Sequence, residues 1–140
     1  MIVIDASAVV EICLGSAIGK TLAREILRVD KELVAPELLP LEVIHALRKQ
    51  LNLKLVTEAK ATEGFRVSCL MPIQLLSHAE LVQRIWQLKT NMTAYDASYV
   101  ALAEKLDAPI WACDRKYEKT PLHKAKLVFF DPRPIIVTPL

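Results

Sequence analysis

The sequence predicts an α/β domain with a mainly parallel sheet and helices over both of its faces. Short apolar runs recur along the chain, helical patterns lie between them, and the runs are continuous instead of alternating polar and apolar. Continuous runs mark strands buried on both sides, and alternation with helices marks parallel crossovers. No repeat, low-complexity tract or linker-like stretch interrupts the 140 residues, so one domain spanning 1–140 is expected.

The first strand is residues 1–5, which reach a carboxylate after three apolar residues and lack the basic start of a signal peptide. Leu22, Ala23, Ile26 and Leu27 share a helical face. Residues 32–35, ahead of Pro36, form a second strand, and 37–51 a helix in which Pro40 suits the first turn. Residues 57–69 are helical, with Gly64 the weak point, and Met71 to Leu76 is a further strand candidate. Leu81, Val82, Ile85 and Trp86 mark one more amphipathic helix, and Ala97, Val100, Ala101 and Leu106 another. Residues 109–113 and 126–130 complete the strands, with Trp86 and Trp111 both read as core.

Composition excludes several classes. With 53% hydrophobic residues the chain is a buried globule, yet no apolar run reaches the roughly 18 to 20 residues of a membrane span. A cytoplasmic protein with no membrane contact is therefore expected. Cys13, Cys69 and Cys113 show no zinc spacing and read as reduced thiols in apolar surroundings. The net charge of +2 names no partner, although Arg115, Lys116, Lys119, His123, Lys124 and Lys126 crowd one stretch against Glu118. On charge alone that stretch is a solvated face.

Four carboxylates hold the chemical interest. Asp5 ends the first strand and Asp114 ends the strand before the basic stretch; Asp96 and Glu42 lie in early helical turns. In a parallel sheet, strand ends and the starts of following helices share one edge, so these acids can converge. Each also has a purely structural use: Asp5 and Asp114 as helix caps, Asp96 as the partner of Thr93 in a capping box, Glu42 as a solvated residue beside His45 and Lys49. If they do meet, two carboxylates about 4 Å apart repel by about 4 kcal/mol at an effective dielectric near 20. A cation must then intervene, and an oxygen-only site suits Mg²⁺ or Mn²⁺. Acids for metal with basic residues close in sequence suggest a phosphodiester substrate.

The segments Val3 to Val10, Ala35 to Arg48, Thr93 to Ala103 and Ala108 to Tyr117 together make the chain resemble a PIN-domain ribonuclease, above all the VapC-type toxins of toxin–antitoxin pairs. The resemblance covers essentially the whole chain. It implies a three-layer α/β/α domain with a roughly five-stranded, mainly parallel sheet. It also implies Asp5, Glu42, Asp96 and Asp114 as catalytic and Mg²⁺- or Mn²⁺-binding acids. Ser7 matches the hydroxyl residue that supports the first Asp; the residues themselves, through capping spacing and charge beside the acids, add Thr93, Arg115 and Lys116 as supporting or substrate-binding candidates. The implied substrate is RNA, and the implied partners are an antitoxin and a second copy of the chain.

The chain departs from the family pattern at Ala112, where a Thr or Ser is common, and at His45, where an Asn is common. Loss of that hydroxyl can weaken metal affinity tenfold or more. It keeps open a second reading, a PIN-like RNA- or partner-binding module with weakened catalysis. Other readings fare worse. A dehalogenase-type phosphatase wants an Asp where Ser7 stands, a receiver wants a further acid beside Asp5, and three glycines outside any Gly-rich loop cannot cradle a nucleotide.

Overall fold

A computed structural model describes residues 1–118 and 123–130. Five strands, β1 (Ile2–Ile4), β2 (Leu33–Pro36), β3 (Ile73–Leu76), β4 (Ile110–Ala112) and β5 (Leu127–Phe129), form one sheet in the order β3-β2-β1-β4-β5. Every pair is parallel, with Val3 opposite both Val34 and Ile110. The three central strands are wholly buried and the two edge strands only in part, as continuous apolar runs require.

Six helices are described: α1 (Ala6–Leu14), α2 (Ala17–Val29), α3 (Leu39–Asn52), α4 (Glu58–Leu70), α5 (Val82–Gln87) and α6 (Ala94–Leu106). α6 lies on β1, β2 and β4 and carries α5, while α1 gathers α2, α3 and α4, giving three layers, α/β/α. Chain direction along the sheet reverses between β1 and β4, since β2 and β3 extend one side and β5 the other. In open parallel sheets the crevice beyond the strand ends at such a reversal is where ligands bind.

Local signals explain the boundaries. Pro40 stands in the first turn of α3, and Thr57 caps α4 by accepting a hydrogen bond from the Lys60 amide. Gly15, at φ +64°, ends α1 and lets Ser16 cap α2 at once. At Gly19 the two helices cross so closely that a Cβ would lie 2.0 Å from the Glu11 carbonyl oxygen. Gly64 sits inside α4 against Leu14 and the Cys13 carbonyl, so the helix runs through it without a break.

Three expectations need correction. Leu27 is 80% exposed and Trp86 68%, although Leu27 shares an apolar helical face and Trp86 is expected in the core. In each stripe the first residue, Leu22 or Leu81, is buried, and the fourth-next, Ile26 or Ile85, is half-buried. The fifth-next lies about 140° round the helix from the first and turns to solvent. Trp86 instead packs its ring under Lys89 Nζ at 4.5 Å, whereas Trp111 is buried against Phe130. The third concerns the thiols: all three cysteines are free, but Cys69 is exposed. Burial pushes the Cys13 thiol up to about 11 and Cys113 up to about 12, which keeps both protonated.

Candidate metal centre

β1 delivers Asp5 to the carboxyl edge of the sheet, where its amide donates to the Trp111 carbonyl of β4 at 3.0 Å. The side chain is fully buried. Its Oδ2 accepts from the Ser7 amide at 3.0 Å and the Ser7 hydroxyl at 2.5 Å, so Asp5 does cap α1. Its Oδ1 accepts from the Tyr117 hydroxyl at 2.5 Å and from Lys116 Nζ at 3.1 Å. A carboxylate offers about four lone-pair sites, and here all are taken. Ser7 Oγ in turn accepts from the Cys113 amide at 3.0 Å, tying the end of β4 to Asp5. Ala112, at the position of the common hydroxyl, is buried and contributes none.

Asp96 reaches the same place from the first turn of α6. Thr93 caps that helix by accepting from the Asp96 amide at 3.2 Å. The Asp96 carboxylate does not close the capping box; it faces Lys116 Nζ at 2.9 Å. Glu42, in the first turn of α3, accepts from the Tyr99 hydroxyl at 2.5 Å. Its pKa is raised, first by desolvation and further by Asp5 and Asp96, with Tyr99 and Lys116 opposing the rise. Glu42 is thus no solvated helix residue; it shares an electrostatic field with the other two acids.

Lys116 is the surprise among the sequence-predicted residues. The sequence places it in a solvated or phosphate-facing basic group, yet its ammonium bridges Asp5 and Asp96 beside the rings of Tyr99 and Tyr117. Burial pulls its pKa down, but the two carboxylates more than offset this and the net shift is upward. The rest of the basic stretch disperses. Arg115 pairs with Glu118 at 2.7 Å, the Lys124 amide donates to Glu104, and Lys126 meets Asp107 beyond the far end of α6. Lys119 lies outside the described residues.

Asp114 fulfils its structural alternative. Its carboxylate is exposed and caps the short turn Arg115–Tyr117 by accepting from the Lys116 amide at 3.1 Å. It therefore lines the groove without joining the Asp5–Lys116–Asp96 bridge. Among the described residues no three carboxylate, imidazole or thiol groups are arranged to hold a metal as they stand. The donor set nonetheless fits one. Asp5 and Asp96 pair directly with a single cation, and Glu42 interacts electrostatically with both acids and with that cation. Two carboxylates sharing one monovalent ammonium, with Glu42 close enough to feel all three charges, leave an anionic excess that suits a hard divalent ion.

A groove of about 1050 Å³ opens beside this bridge and is lined by Glu42, Asp114 and Lys116, with walls from α1, α3, the start of α6 and the turn after β4. Glu42, His45 and Lys49 run along its α3 wall, with Ser7, Tyr95 and Arg115 also lining it. Tyr99 and Tyr117 escaped sequence reasoning. Their signal was spacing: each follows an acid by three residues, Asp96 and Asp114, within a helix or turn that aims it at the sheet edge.

The fold and this edge define the class. Residues 2–133 match the PIN domain family, and the chain belongs to it. Within that family it is VapC-like. It is 34% identical over 128 residues to Ribonuclease VapC12 of Mycobacterium tuberculosis, covering 91% of this chain and 97% of that one. It is 35% identical over 120 residues to Ribonuclease VapC1 of the same organism, covering 85% and 90%. Its fold superposes with a TM-score of 0.62 on the structure of VapBC2 from Rickettsia felis bound to a DNA fragment from their promoter, at 15% identity over 94% of this chain and 100% of that one.

Proposed function

We propose that this chain is a divalent-metal-dependent endoribonuclease and the toxin of a VapBC-type pair. The observation that carries the reading is the pairing of Asp5 and Asp96 through one cation at the reversal point of a parallel sheet, with Glu42 within their electrostatic reach. Asp5, Glu42 and Asp96 would hold Mg²⁺ or Mn²⁺, with Asp114 reached through the turn that it caps. Such an ion supplies an activated water and a counter-charge for phosphodiester hydrolysis.

The chain's own residues prepare this. Ser7 fixes the orientation of Asp5, Tyr99 that of Glu42, and Thr93 the first turn that carries Asp96. Arg115, His45 and Lys49 line the groove where an RNA backbone would lie. The groove would also receive a segment of the cognate antitoxin, as the relatives' pairing suggests. Residence in the cytoplasm and a homodimer complete the reading; no single described helix is long and apolar enough to cross a membrane.

A second reading, a PIN-like binding module with weakened turnover, draws on Ala112 and on the saturation of Asp5 by protein partners. One assay separates the two. Purified protein is incubated with single-stranded RNA and Mn²⁺ or Mg²⁺, beside an Asp5→Asn variant and a chelator control. Metal-dependent cleavage lost in the variant supports the nuclease. RNA binding without such cleavage establishes the module.

A further inference from the structure

Asp5 cannot accept a metal ion in the arrangement described, because each of its lone-pair sites already has a donor. Ser7 contributes two of those donors from within the cap of α1, and Tyr117 is a buried residue held in its turn. Those three are parts of the framework. Lys116 is different. Its ammonium ends a flexible four-carbon stem, its side chain is 25% exposed, and it opens onto the groove. It is also the group shared between Asp5 and Asp96, at 3.1 and 2.9 Å.

We propose that Lys116 is a built-in occupant of the cation site: in the metal-free protein its ammonium bridges Asp5 and Asp96, and a divalent ion enters only by displacing it. The inference rests on the reading of these acids as metal ligands. It gives Lys116 two functions. Without metal, it holds the acids together against their repulsion, so that the site is preformed. With metal, its ammonium swings into the groove beside Arg115, where an RNA phosphate would meet it. Lys116 is in this account a positioning residue that competes with the ion, and it raises the metal concentration at which the site fills above what the carboxylates alone would need.

The test measures Mn²⁺ binding by calorimetry to the wild-type chain and to Lys116→Gln. Release from competition should tighten Mn²⁺ binding in the variant by about fivefold or more, the lower range of coupling between competing ligands. A lysine that only stabilises the fold would lower the melting temperature when replaced and leave Mn²⁺ affinity unchanged. A second measurement needs no variant. The wild-type protein is treated with acetic anhydride with and without Mn²⁺, and modification of Lys116 is followed by mass spectrometry. Displacement predicts that Mn²⁺ raises acetylation of Lys116 while Lys89 and Lys105 stay constant, and this decides the matter should Lys116→Gln fail to fold. If the wild type binds Mn²⁺ but the variant binds no more tightly and Lys116 acetylation is unchanged, the inference is overturned and the metal site stands. If neither protein binds Mn²⁺, both are overturned.

Discussion

The two ends of α6 treat their carboxylates in opposite ways. At the carboxyl edge of the sheet, Asp5 and Asp96 share one ammonium, and desolvation together with these neighbouring acids raises the pKa of Glu42. At the far end, Glu104 receives a two-pronged bond from Arg84, at 2.7 and 2.9 Å, and a backbone bond from Lys124. There the Arg84 hydrogen bond outweighs desolvation and holds the Glu104 carboxyl below its ordinary value. One edge keeps more negative charge than it neutralises, and the other is matched. The difference separates an edge with an anionic excess from a joint that fastens the segment leading into β5 to α6.

The largest expected effect comes from breaking the crowded edge. Asp96→Asn should lower RNA cleavage by about two orders of magnitude or more, measured as initial rate at saturating Mn²⁺. The same substitution should leave circular dichroism unchanged, because Thr93 caps the helix through the Asp96 amide and not its carboxylate. A comparable loss of helicity would assign Asp96 to capping instead.

Next in size is the matched edge. Arg84→Ala should cost about 1 to 2 kcal/mol in denaturant unfolding, since it leaves a half-buried carboxylate short of two charge-assisted bonds. Cleavage per folded molecule should not change. Any matching loss of specific activity would mean the two ends are coupled.

The two glutamates should respond to pH with opposite signs. Glu104, with a depressed folded pKa, contributes stability that is present above about pH 4.5 and lost as pH falls through its folded value. Glu42, with a raised folded pKa, binds its proton more tightly when folded, so its contribution falls as pH rises above about 4.5 through that value. In metal-free buffer at pH 7, Glu42→Gln should therefore melt slightly higher than wild type, by about 1 to 3 °C, and Glu104→Gln lower. Melting curves that shift the same way for both variants would erase the contrast.

The smallest effect belongs to the groove. Arg115→Ala should weaken RNA binding with a salt dependence shallower by about one counterion. An unchanged slope would remove Arg115 from the substrate path.

Much of this was legible in the sequence. The strands were, because burial on both faces leaves continuous apolar runs such as Ile2 to Ile4 and Leu33 to Ala35. Asp5, Glu42 and Asp96 were legible because strand ends and helix starts share an edge in any parallel sheet. Exposure of Leu27 and Trp86 was not, since a stripe of apolar residues does not say where the contact edge of the helix falls. Asp114 looked equivalent to Asp5, as both close a strand. The two differ because Asp5 enters between β2 and β4 and is buried, whereas Asp114 caps an exposed turn. The partnership of Lys116 with Asp5, 111 positions away in sequence, depends on how a long side chain folds back over a turn, and local pattern carries no trace of it.

Thermal unfolding in a Mn²⁺ series tests the central claim most directly. Wild type and Glu104→Gln should both gain stability with Mn²⁺, approaching about 2.7 kcal/mol at a hundred times the dissociation constant, while Asp96→Asn gains little. An equal gain in Asp96→Asn, or none in wild type, would contradict the assignment of the carboxyl edge as the metal site.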